Sequence, residues 1–198
     1  GEFLKQRIFG PLDMPDTDFQ VTPDNKDRLT QIYQPKGIKP GSFFAAATGQ
    51  GVEVANPAVS DRFINGGNFE SGGGGLVSTA RDYLRFSQMM LNGGELDGVR
   101  LLSPKTIELM TANHLGDIPM GFGRRGSGFG LGFGLVLDPG EVGEVSSAGE
   151  FNWGGAAGTR FWIDPQEQLI GIFMVQSIPH RTRLAGDFKV LAYQALVE

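Results

Sequence analysis

Residues 149 to 164 read GEFNWGGAAGTRFWID. Within them, the run Trp153-Gly154-Gly155-Ala156-Ala157-Gly158 has the composition that points most directly at chemistry. Glycines at 154, 155 and 158 remove side chains where backbone must come close to a ligand or to a neighbouring strand. Other candidate chemistry is thin. The chain has no cysteine and two histidines, hence no thiolate nucleophile, no Cys-based metal site and no His-Glu-x-x-His pair. No metal and no cofactor is expected. His114, His180, Asp164 and Asp187 could be assembled on paper into a triad with a serine, but no serine occupies a Gly-x-Ser-x-Gly elbow. The two histidines are read as surface or capping residues. Gly72 to Gly75 lack the Gly-Lys-Ser/Thr of a phosphate-cradling loop and are read as a tight packing turn.

The composition narrows the partners. A net charge of −5, with 17 Lys and Arg scattered along the chain, argues against nucleic acid. No run approaches the roughly 18 apolar residues of a membrane span. With 198 residues, 40% hydrophobic and 20% charged, the chain suits one substantial domain or part of a larger one. The absence of cysteine leaves the compartment open.

The elements that must position the glycine-rich run follow from periodicity. A short helix opens the chain, with Phe3, Leu4, Ile8 and Phe9 on one face and Gly10-Pro11 as its stop. Residues 20 to 70 are rich in Pro, Gly, Asn and Asp without a sustained period. A loop of that length suits the border of a functional cleft. Thr79 is a good N-cap with Asp82 three places on, and Tyr83, Phe86, Ser87, Met90 and Leu91 mark a buried helical face that Gly93 ends. Ser103 and Pro104 open a second helix. The alternating GSGFGLGFGLVLD predicts one strand, with Phe129, Leu131 and Phe133 on its core face. AAGTRFWID and QLIGIFMVQS predict an antiparallel hairpin around Pro165-Gln166, with Trp162 in the core. A last helix would bury Leu184, Phe188, Leu191, Ala192 and Ala195. The order implies an α+β fold.

RIFGPLDMPDT, GGGGLVSTARDYLRFSQMMLNGG, LLSPKTIELM, GFGLGFGLVLD and WGGAAGTRFWIDP together resemble the C-terminal half of the serine β-lactamase-like hydrolases, which include class C β-lactamases, DD-peptidases and related carboxylesterases. The motifs keep their order from Phe3 to the last helix. Asp13 stands where the family usually has Gly, and Asp tolerates the left-handed backbone that such a turn needs. Of the family's three catalytic elements, no Ser-x-x-Lys and no Tyr-x-Asn occurs in the chain, whereas the third motif is present as Trp153-Gly154-Gly155.

The resemblance implies that this strand borders the substrate, with Trp153, Gly154, Gly155 and Ala157 around it. It also implies that the N–H of Ala156 is half of an oxyanion hole. Trp153 where lactamases carry Lys removes a cation for a carboxylate and favours neutral esters over penicillin-like anions. The implied architecture is the C-terminal part of a β-lactamase-like fold. Residues 1–198 would form a partial domain, with helices and long loops over 1–120 and a three-strand antiparallel segment plus a covering C-terminal helix over 121–198. Such a chain is expected to be inactive alone and to associate with its own N-terminal half or a second copy. The substrate class is a small-molecule ester or amide. The alternatives are a non-catalytic β-lactamase-like binding module, a β-lactamase or DD-peptidase fragment, and an unrelated hydrolase with its own Ser, His and Asp.

Overall fold

The structure, a computed structural model, describes residues 1–37, 51–55, 58–67, 69–121, 125–180 and 182–197. Part of the long segment between 20 and 70 lies outside them. The chain forms two compact units. The first comprises Gly1–Tyr83 with Gly154–Thr159 and Met174–Thr182; the second comprises Leu84–Trp153, Arg160–Phe173 and Arg183–Glu198.

The first unit opens on α1 (Glu2–Leu4), which continues as a π-helical turn over Lys5–Phe9. Phe9, Leu12 and Met14 are buried there. Asp13 takes φ 51°, the left-handed backbone that the departure from Gly demands. Strands β1 (Tyr33–Pro35) and β2 (Val52–Val54) pair antiparallel, and α2 (Ala58–Asn65) follows. Helix α3 (Ala80–Leu91) starts where its cap predicts: the Asp82 N–H donates to Thr79 Oγ1 at 3.2 Å. The Asp82 carboxylate is fully buried and holds the preceding turn, accepting from the Asp16 N–H at 2.8 Å and the Thr17 hydroxyl at 2.9 Å.

In the second unit a small hairpin, β3 (Glu95–Leu96) and β4 (Val99–Arg100), leads to α4 (Pro104–Met110). Ser103 caps α4 by accepting from the Thr106 N–H at 3.1 Å, as its position before Pro104 predicts. A five-stranded antiparallel meander follows: β5 (Ser127–Phe129), β6 (Gly134–Val136), β7 (Phe151–Gly154), β8 (Arg160–Asp164) and β9 (Leu169–Phe173), with the short helix α5 (Pro139–Val142) between β6 and β7. The hairpin at Pro165-Gln166 forms, pairing Trp162 with Gly171 and Ile163 with Ile170.

The expected three-strand segment is corrected to five strands. Residues 127–136 do not run straight. Gly130 N–H donates to the Phe133 carbonyl at 2.8 Å, Gly132 takes φ 94°, and the chain folds back so that Phe129 opposes Gly134. Glycine alternating with Phe and Leu has the period of a strand, and the same glycines permit the turn that breaks it. Phe133 is buried, but Phe129 is only half-buried and Leu131 is exposed on the turn.

Helix α6 (Leu184–Gln194) packs on the sheet, with the Phe188 ring 5.6 Å from Trp162 and 5.9 Å from Phe173. Its innermost residue is not the one expected. Leu184 is 53% and Leu191 64% exposed, whereas Lys189 is 2% exposed. The reason is charge. Glu150 and Asp164 are fully buried, and Lys189 Nζ reaches Glu150 Oε1 at 2.8 Å. The Tyr193 hydroxyl lies 2.9 Å from Glu150 Oε2 and 2.6 Å from Asp164 Oδ2. A buried carboxylate left unpaired costs more than apolar contact returns, so the helix turns its cation inward.

Candidate active-site strand

On β7, Trp153 follows Asn152, the register partner of Gly134 on β6. Its indole lies on β6 over Gly134, where an added Cβ would sit 3.3 Å from the ring carbon Cε3. Phe129 meets it edge to face, with centroids 4.9 Å apart and an interplanar angle of 78°. Trp153 keeps 43% of its surface exposed.

Past Trp153 the chain enters the first unit and turns on itself. Gly155 N–H donates to the Thr159 carbonyl at 2.8 Å, and Gly158 N–H to the Gly155 carbonyl at 3.0 Å. Ser177 N–H donates to the Ala157 carbonyl at 2.9 Å, tying the turn to the 174–182 segment. The three glycines have structural work here. A Cβ on Gly155 would stand 2.5 Å from Thr159 Oγ1. Gly158, at φ 94°, leaves so little room that a Cβ would fall 2.3 Å from the His180 ring. The close approach that these glycines permit is therefore to the loop's own neighbours. The turn leaves Ala156 outside, exposed, and among the described residues no acceptor meets its N–H. Trp153 and Gly154 lie on β7, Gly155 just beyond it, and Ala156 and Ala157 in the turn.

Three of the other candidates have hydrogen-bond partners. His114 Nε2 is 2.7 Å from the Leu109 carbonyl in the last turn of α4, which is a capping contact. His180 places Nε2 3.0 Å from Thr182 Oγ1, and among the described residues its buried Nδ1 meets no partner. Asp164 accepts from the N–H groups of Gln166 and Glu167 as well as from Tyr193. Burial, reinforced by Asp164 and Glu150, pushes the Tyr193 hydroxyl far above the ordinary phenol range. Burial alone lifts Tyr83 to about 12. Among the described residues, no cluster of three or more His, Asp or Glu could hold a metal, and no helix is long and apolar enough to cross a membrane.

The first unit also contains a cleft of about 270 Å³ beside Phe9, Met14, Asp16, Arg28 and Ser78. Two of its charges are matched: Arg28 grips Asp16 through two hydrogen bonds of 2.6 and 2.7 Å, which hold the Asp16 carboxyl below its usual range.

Two parts of this arrangement are not legible in the sequence. Phe129 becomes the partner of Trp153 only through the hairpin. The Glu150–Lys189–Tyr193–Asp164 cluster joins residues up to 43 positions apart. The available signal was an Lys and a Tyr four places apart on a helix predicted to bury that side of the sheet.

A family model described as Beta-lactamase matches residues 1–194. The chain belongs to the beta-lactamase family. Two curated relatives illustrate the likeness. Protein Rv1367c of Mycobacterium tuberculosis is 32% identical over 190 residues, covering 90% of this chain and 43% of the relative. The lovastatin esterase of Penicillium rubens is 29% identical over 209 residues, covering 95% of this chain and 48% of that enzyme. Among solved structures, the simvastatin synthase LovD from Aspergillus terreus superposes with a TM-score of 0.76 at 21% identity, covering 100% of this chain and 51% of that one. The chain thus spans about half the length of the curated relatives it matches.

The expectation that the likeness is confined to a C-terminal portion of a β-lactamase-like protein is corrected. The beta-lactamase match runs from residue 1 to residue 194, and the α+β fold occupies the whole chain. The expectation of a C-terminal fragment, inactive alone, finds no support in that match.

Proposed function

We propose that the protein is a serine hydrolase of the beta-lactamase family that acts on small neutral esters through an acyl-enzyme. The observation that carries the reading is the exposed, unaccepted N–H of Ala156, three residues beyond an uncharged Trp153. Developing negative charge on a carbonyl oxygen needs a donor whose direction is already fixed. The hydrogen bonds of Gly155, Ala157 and Gly158 fix this turn on either side of Ala156. Gly154, Gly155 and Ala157 keep side-chain bulk away from an approaching acyl group. The name of the Penicillium relative, lovastatin esterase, supports an ester as the substrate class. These residues have binding and electrostatic roles. The nucleophile is identified by labelling the protein with a serine-directed phosphonate and mapping the adduct by mass spectrometry.

The test of substrate class compares kcat/KM for p-nitrophenyl butyrate and nitrocefin. A clear excess for the ester is expected, and equal values would overturn the neutral-ester reading. The same reading includes association with a second copy. Its support is the exposed Leu184–Phe188–Leu191 stripe of α6 beside the edge strand β9. Size-exclusion chromatography with light scattering would show a dimer, and a monomer persisting at high micromolar concentration would contradict it.

A further inference from the structure

The geometry points to an aromatic subsite on the second unit: Trp153, backed by Gly134 and braced by Phe129, takes a flat, uncharged aryl group of the ester. The inference rests on the hydrolase reading and adds to it the shape of the substrate.

The sheet places an indole over a glycine twice. Trp162 lies over Gly171, where a Cβ would fall 2.0 Å from its ring, and α6 covers it until no surface remains. Trp153 stands against Gly134 more loosely, a Cβ there falling 3.3 Å from its ring, and 43% of it is left open. An exposed tryptophan on a surface normally has several rotamers. This one is held by a backbone that lacks a side chain on one side and by a phenyl edge on another. A ring fixed in advance binds another ring without first losing rotamer freedom. The negative π-face of indole favours the positive edge of an aryl group and disfavours a carboxylate lying on it. Phe129 is then a specificity-determining residue and Gly134 a positioning one.

The experiment uses the ¹⁵N-labelled chain, whose two tryptophans supply two indole N–H signals. Phenyl butyrate, ethyl butyrate and 4-phenylbutyrate are titrated in turn. The expected result is a saturable shift of the Trp153 signal by phenyl butyrate, with the Trp162 signal fixed and both other probes weaker. Phe129→Leu should weaken phenyl butyrate by about three- to tenfold, the range that an aromatic pair supplies, and leave ethyl butyrate unchanged. Gly134→Val should act similarly by displacing the ring, and an unmoved Trp162 signal in either variant reports an intact sheet. Equal affinity for the phenyl and ethyl esters, or indifference to both substitutions, would overturn the subsite. A Trp153 signal untouched by phenyl butyrate in a protein that hydrolyses ethyl butyrate would sink the subsite and leave the hydrolase. Phe129-dependent binding in a protein that hydrolyses no ester would do the reverse.

Discussion

Trp162 and Trp153 each set an indole against a glycine of the adjacent strand in one sheet, with opposite outcomes. The glycines are Gly171 on β9 and Gly134 on β6. Over Trp162 sits α6, drawn in by Lys189 and Tyr193 against Glu150 and Asp164. Trp153 meets the edge of Phe129 and stays 43% exposed. The lesson is that an aromatic residue's role is set by what covers it. The strand supplies the ring, and a buried charge cluster decides which ring becomes core.

The sealed side should break first when its charge is removed. Lys189→Met leaves Glu150 buried without its cation and should cost about 3–5 kcal/mol in urea denaturation. A loss under about 1 kcal/mol would mean that α6 is held by its apolar contacts instead. The two glycines sharpen the contrast. Gly171→Ala forces a Cβ into a ring with no room to move and should cost about 1–3 kcal/mol. Gly134→Ala sets a Cβ 3.3 Å from the ring, which a shift of a few tenths of an ångström relieves, and should stay within about 0.5 kcal/mol. Equal costs would erase the distinction between the two sites.

A pH series probes the seal more gently. The Tyr193 hydroxyl is raised above its unfolded value of about 10, so folding favours its neutral form. That stabilisation is fully present below about pH 10 and is lost as pH rises above it. The urea midpoint should therefore fall on the alkaline side. Tyr193→Phe should flatten most of that fall, leaving the smaller share of Tyr83, whose value is about 12. An unchanged alkaline slope in Tyr193→Phe would show that the hydroxyl does not couple to the cluster.

What the sequence shows and what it conceals divide along physical lines. The caps at Thr79 and Ser103, the hairpin at Pro165-Gln166 and the left-handed Asp13 depend on neighbours within a few positions, and all are legible. The fold of 127–136 into two strands is not, because alternating glycine supports a strand and a turn equally well. The inward face of α6 is concealed for another reason. Leu184, Phe188 and Leu191 have the period of a core stripe, and the carboxylates that override them lie on other strands. In the candidate site, the composition of 153–158 draws attention to the turn. Its glycines serve the turn, and residues 153–156 are all exposed.

The most direct test of the proposed function is kcat for p-nitrophenyl butyrate in the protein carrying Ala156→Pro. Proline deletes one N–H that no acceptor among the described residues meets, so the fold, monitored by near-ultraviolet circular dichroism, should survive. The account predicts a fall in kcat of about 10²-fold or more with a smaller change in KM, the mark of a donor that acts in the transition state. An unchanged kcat in the folded variant would contradict it and remove this turn from the oxyanion site.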